Sequence, residues 1–169
     1  GDIFLSGGEV SRNKLIKYNG LLDELFWKEP VSNNIIRIDK EGIVQFHYLN
    51  FRGDTSVYFR KIKVKPNAKS DSAEVFAHVI YDGAASLCIL HTFFVDRKES
   101  IINNGIQLER YIYEEEPNYI FRFSNNKTVI LKKLTRKNLY TLSPGNNERI
   151  KEFLKTNKNV ELTDKSSLI

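Results

Sequence analysis

Histidine has its ordinary pKa nearest neutrality and is the commonest metal ligand. This chain has three, His47, His78 and His91. A zinc site needs three or four ligands converging in space. All three histidines fall in segments read below as strands, and no His-x-His or Cys-x-x-Cys spacing delivers two ligands from one segment. His78 and His91 flank an Asp82-Gly83 turn signal. In a tight hairpin with two or four residues in the loop, they point to one face and Cys88 points to the other. They are the metal candidates of this sequence. The plainer account, partly buried histidines hydrogen-bonded within a sheet, is preferred, so no metal and no cofactor is expected.

Other groups are weighed in the same way. Glu114-Glu115-Glu116 could bind a cation or supply an acid and a base, but carboxylates paired for that work sit on different elements facing one cleft. Three in a row before Pro117 read as a solvated loop. Lys61, Lys63, Lys65 and Lys69, with Arg60 and Tyr58 nearby, could follow a phosphate backbone, and Tyr18, Trp27, Tyr48 and Tyr58 could stack on bases. No recognition motif frames them. A lysine-bearing edge strand that discourages sheet-to-sheet association is the preferred reading, and nucleic acid is not expected as a partner. There is no Gly-x-Ser-x-Gly, and Cys88 lies in an apolar segment that disfavours its thiolate. No catalytic residue is assigned. Ser6-Gly7-Gly8 lacks the later Gly-Lys-Ser/Thr of a phosphate loop.

These groups must be positioned by strands. The longest apolar run, residues 72–96, alternates on both sides of Asp82-Gly83 and is apolar on both faces. That pattern fits two strands covered on both faces. Val, Ile, Phe, Tyr and Thr dominate it, which favours strand over buried helix. This hairpin is taken as the centre of a sheet.

Before it, Leu21, Leu22, Leu25 and Phe26 fall at helical spacing up to Pro30, so residues 1–33 form an N-terminal extension with a short helix, or a twisted strand. Residues 34–133 form the antiparallel sheet. Within them, Ile36 and Ile38 lead through Lys40-Glu41-Gly42 to a return strand at 43–51, and a further strand covers 57–65. After the central hairpin, 97–105 is polar and ends in the Asn103-Asn104-Gly105 turn signal. Residues 106–113 alternate until Glu114–Pro117 breaks them, and 119–123 pairs with 128–131 across Asn125-Asn126. This makes about eight strands at the spacing of a meander. Residues 134–169 form a helical tail, with Asn146 or Asn147 capping a helix that carries Ile150, Phe153 and Leu154 on one stripe. The fold class is mainly β, α+β at the margin: one domain over 1–169, an antiparallel meander, curled or barrel-like, with short C-terminal helices.

At 169 residues the chain is long enough to bury a real core. Acidic and basic residues are interspersed under a formal charge of +5, which reads as a solvated surface before it reads as a nucleic-acid face. No apolar run reaches the ~18 to 20 residues of a membrane-spanning helix without a turn signal inside it. The chain contains no methionine and starts at Gly1. The expectation is an exported protein, periplasmic or at the cell surface, with a signal peptide removed.

Two stretches carry a resemblance. Residues 75–87, VFAHVIYDGAASL, show an apolar strand, a Gly turn and then Ser-Leu. Residues 119–133, YIFRFSNNKTVILKK, are followed by LYTLSP and a short charged helix. Together they resemble a group of exported bacterial envelope proteins of uncharacterised activity, in some of which a soluble β-rich region precedes an outer-membrane barrel. Cys88 stands where that pattern more often has an aromatic. The resemblance implies a non-enzymatic envelope module that binds a protein or another envelope component, and it transfers no functional residue. Two alternatives stand beside it: a carrier or sensor with an apolar small-molecule pocket inside the curled sheet, and a hydrolase.

Overall fold

In the computed structural model, residues 1–51, 55–65, 71–125, 127–142 and 144–156 are described. Their strands are β1 (Asp2–Leu5), β2 (Val10–Ser11), β3 (Leu15–Asn19), β4 (Glu24–Lys28), β5 (Ile35–Arg37), β6 (Ile43–Phe51), β7 (Thr55–Val64), β8 (Ala73–Asp82), β9 (Ala85–Asn103), β10 (Ile106–Phe123) and β11 (Thr128–Leu131). Helix α1 (Arg136–Leu142), a 3-10 turn (Pro144–Asn146) and helix α2 (Asn147–Thr156) follow. The main sheet has the order β11-β10-β9-β8-β7-β6-β1-β2, and β3-β4-β5 form a second, small sheet. Every pairing is antiparallel. The mainly-β reading therefore holds. The main sheet stays open, with β11 and β2 at its two edges, so its barrel-like variant does not.

Alternation of side chains across the strands gives the main sheet two apolar faces. On the first, Ile3, Ile43, Phe46 and Phe76 are buried with Leu25 of β4, and Ile16, Tyr18 and Ile38 pack against them. The small sheet thus covers this end of the face. Farther along the same face, Leu87, Ile89 and Tyr119 are buried with Leu134, and Leu139 of α1 packs there. The second face buries Ile62, Val64, Ala77, Cys88 and Ile120, with Val75, Val79, Leu90 and Ile130 beside them. Within the two-sided apolar run of residues 72–96, Phe76, Ala77, Leu87, Cys88 and Ile89 are buried and fall on both faces as the pattern called for, whereas Tyr81, Phe94 and Val95 are exposed.

Several expectations are corrected. Residues 21–27 are not helical. Leu21 and Leu22 are exposed in the turn that leads into β4, and only Leu25 of the supposed stripe is buried. Asp23 has φ 53°, which closes the hairpin between Asn19 and Glu24. The twisted-strand alternative is the one realised. Residues 1–33 supply β1 and β2 to the main sheet and β3 and β4 to the small one, so they are no appendage. Nor is β6 the return strand of β5. The Lys40-Glu41-Gly42 turn exists, with the Ile43 amide donating to the Lys40 carbonyl at 3.1 Å, but the chain changes sheets there.

Glu114–Pro117 does not end a strand, because β10 runs through it. Proline is tolerated there because β10 pairs with β11 only from Tyr119 onward, leaving an open edge at Pro117. Residues 97–103 are likewise strand. The turn falls where Asn103-Asn104-Gly105 placed it, with Asn104 at φ 49° and Gly105 at φ 79°, as a two-residue hairpin loop requires. Strand β7 is interior, flanked by β6 and β8. Only its Lys61–Val64 end lacks β6 as a partner, and Lys69 lies outside the described residues. Among the described residues, no helix is long and apolar enough to cross a membrane.

Candidate functional site

The register of β6 to β9 builds a transverse aromatic row. Phe46 stands opposite Phe59, and Phe59 opposite His78. Ring centroids lie 4.9 Å apart for Phe46–Phe59, 5.4 Å for Phe59–His78 and 6.1 Å for His78–His91, each pair stacked. His78 and His91 therefore do share a face, but not by way of an even-numbered loop. Asp82 pairs with Ser86, which leaves three residues in the turn, and a bulge between Val79 and Tyr81 restores the parity so that His78 meets Ile89. Cys88 faces the opposite side across from Val79.

His91 Nδ1 contacts the Glu115 carboxylate of β10. This brings the acidic run and the histidine pair together. Among the described residues, no group of three or more metal-ligating side chains converges. Burial pushes the Cys88 thiol above its ordinary pKa, the reverse of what a nucleophile or a thiolate ligand needs. The nearby hydroxyl of Thr92 donates to the Glu116 carbonyl at 2.6 Å and accepts from Asn118 at 2.9 Å. His47 is elsewhere, stacked between Phe4 and Tyr58 at 5.0 and 5.2 Å. Its Nε2 lies 3.7 Å from Asp2 Oδ2, and neither ring nitrogen has a hydrogen-bond partner among the described residues. Stacking, not hydrogen bonding, holds it.

The basic stripe is divided. Lys61 Nζ donates to the Glu41 carbonyl at 2.9 Å and the Lys40 carbonyl at 3.2 Å, and it pairs with Glu74 at 3.4 Å. It ties β7 to the turn that links the two sheets. Arg60, on the other face, bonds Asp82 at 2.6 Å, which raises the Arg60 pKa and lowers that of Asp82. Tyr18 and Tyr48 are not a stacking platform. The Tyr18 amide donates to the Tyr48 hydroxyl at 2.6 Å, and both phenols are pushed up by burial. Lys14 sits 5.5 Å over the ring of Trp27.

What sequence reading missed is where the central hairpin goes. Ladder contacts between β8 and β9 end at His78–Ile89, and those between β10 and β11 begin at Tyr119. Between these limits, residues 90–103 and 106–118 pair only with each other among the described residues. At ~3.4 Å per residue this two-stranded ribbon runs about 45 Å. A bulge between Ile112 and Tyr113 re-aims its outer part. Phe94, Ile101, Leu108, Tyr111 and Tyr113 are exposed, and Ile106 and Ile102 are 63% and 80% exposed. At its foot, the β3–β4 turn fills the space β9 leaves beside β8. Gly20 abuts the Phe93 ring, and Asp23 accepts the Phe76 amide of β8 at 3.1 Å. The discernible signal was Asn104-Gly105 between two isoleucine-bearing runs, Ile101-Ile102 and Ile106.

No family model, curated protein or solved structure matches the chain.

Proposed function

We propose that this protein is a non-enzymatic binding module of the bacterial cell envelope, and that it takes an extended segment of a protein partner along the β9–β10 ribbon. The observation that carries this reading is a long ribbon with two open backbone edges and exposed apolar side chains on both faces. Open edges offer rows of amide and carbonyl groups to an added strand. An isolated two-stranded ribbon is marginal in water, so a third strand would stabilise it. Acidic residues outnumber basic ones along it: Asp96, Glu99, Glu109 and Glu114–Glu116 against Arg97, Lys98 and Arg110. The partner segment is therefore one that alternates apolar and basic side chains. The exported, envelope-bound setting rests on the sequence resemblance.

The test is capture from envelope extract by the wild-type chain and by a variant in which residues 99–110 are replaced with Asn-Gly. Lys98 and Tyr111, an existing pair, then close a two-residue turn. The reading expects a protein captured by the wild type alone, with slowed exchange of the β9 or β10 edge amides in the complex. Equal capture by both, or unchanged ribbon exchange, would overturn it.

A further inference from the structure

The small sheet covers the main core with one face and turns the other outward. Leu15 stands opposite Lys28, and Lys28 opposite Ile35. Lys17 stands opposite Phe26. Alternation therefore sets an apolar line of Leu15, Phe26 and Ile35 among lysines on the outer face. The result is a groove of about 570 Å³ lined by those three residues and by Lys14, Lys17 and Lys28, among others. Its volume lies within the range of small-molecule sites, roughly 300 to 1,000 Å³. Leu15 and Ile35 are 60% and 72% exposed, so the apolar line is presented to solvent.

The charge around it is one-sided. Among the described residues no salt bridge joins Lys14, Lys17 or Lys28 to a carboxylate. The carboxylates of this sheet have other partners: on the same outer face Glu24 bonds Arg37 at 2.8 Å, a neutralised pair beside the groove, and Glu29 bonds the Ser32 hydroxyl. The backbone at the groove's Lys14 end is also taken, since the Lys14 amide donates to the Gly1 carbonyl at 2.7 Å. That disfavours an added peptide strand and leaves recognition to side chains.

We propose that this groove binds a free long-chain carboxylate, its hydrocarbon chain along Leu15, Phe26 and Ile35 and its head held by the lysines. A neutral ligand leaves the cations unanswered, and a purely polar anion leaves the apolar line exposed to water. Trp27, the sole tryptophan of the chain, lies on the other face of β4 from Phe26 and senses the groove through Lys14, which lines it and sits 5.5 Å over the Trp27 ring.

The test is titration of the intact chain with dodecanoate below its micellar concentration, followed by Trp27 emission and calorimetry. Dodecyl maltoside and dodecyltrimethylammonium serve as neutral and cationic heads, and phosphatidylglycerol vesicles as a membrane surface. Saturable binding of dodecanoate is expected, weaker by about tenfold for the other two heads and again for the K17E/K28E variant. Ile35→Glu weakens it through the apolar line. All three substituted side chains are exposed, and an unchanged circular dichroism spectrum verifies that the variants fold. Equal affinity for the three heads, indifference to K17E/K28E, absence of saturable binding, or binding to vesicles alone would each overturn the proposal.

Discussion

Asp23 does more than any other described side chain to join the two sheets. Its carboxylate accepts the Tyr18 hydroxyl at 2.6 Å and the Phe76 amide at 3.1 Å, and it pairs with Lys40. Asp23→Ala leaves a half-buried amide, hydroxyl and ammonium without their acceptor and puts a Cβ-bearing apolar residue at φ 53°. A cost of about 2 to 4 kcal/mol follows. Asp23→Asn keeps an acceptor and a residue tolerant of that φ, and it loses less; urea denaturation of the two variants checks the order. The Arg60–Asp82 pair acts more weakly, because Asp82 is 49% and Arg60 31% exposed, and solvent limits it to about 1 kcal/mol or less. Arg60 holds the Asp82 pKa below its ordinary 3.8. The pair's stabilisation is therefore whole above that value and is lost as pH falls through the depressed one. Asp82→Asn should lower stability slightly at neutral pH and flatten its decline below about pH 4, measured as denaturation midpoints from pH 2 to 7.

Among the elements, the ribbon stands apart energetically. Beyond the foot at Phe93 its side chains are mostly exposed, so replacing residues 99–110 with Asn-Gly removes little buried area. The unfolding free energy should change by no more than about 0.5 kcal/mol, while capture of the proposed partner segment is lost. A drop of several kcal/mol in urea denaturation would mean that the ribbon packs back on the body. The ribbon also marks where sequence stopped being informative. Local alternation placed β7, β8, the start of β9, and the hairpin of β10 with β11, because the pattern in each coincides with buried residues, among them Ile62, Phe76, Cys88 and Ile120. Residues 97–103 are strand although polar, since their backbone bonds go to β10 and not into a core. Glu114–Pro117 looked like a break because proline is costly in a paired edge, and the sequence does not say that this edge is open. Of the candidate site, the shared face of His78 and His91 was legible. Their link to Glu115 was not, because it depends on the register between residues of two strands 24 apart in the chain.

At the scale of the whole molecule, two sheets share one core, and Leu25 is where they meet. It is 1% exposed and lies among Ile3, Ile43, Phe46 and Phe76 of the main sheet, the one small-sheet residue buried to that degree. Leu25→Ala removes side-chain volume at that seam and costs about 3 kcal/mol for the lost transfer and the cavity. Where the loss falls distinguishes two architectures. If the sheets fold as one cooperative unit, amide exchange in β3, β4, β6 and β8 accelerates together, in step with global stability. If the small sheet docks as a separate layer, β3 and β4 open alone and the Ile89, Ile120 and Tyr119 region keeps its protection. The Asp23 bond to Phe76 crosses between the layers, and the Lys61 bonds to the Lys40 and Glu41 carbonyls fasten to β7 the turn that links them. Those ties favour the single unit. Hydrogen exchange on Leu25→Ala should therefore show β3, β4, β6 and β8 losing protection by the same free energy, while the outer ribbon, already open, exchanges as in the wild type.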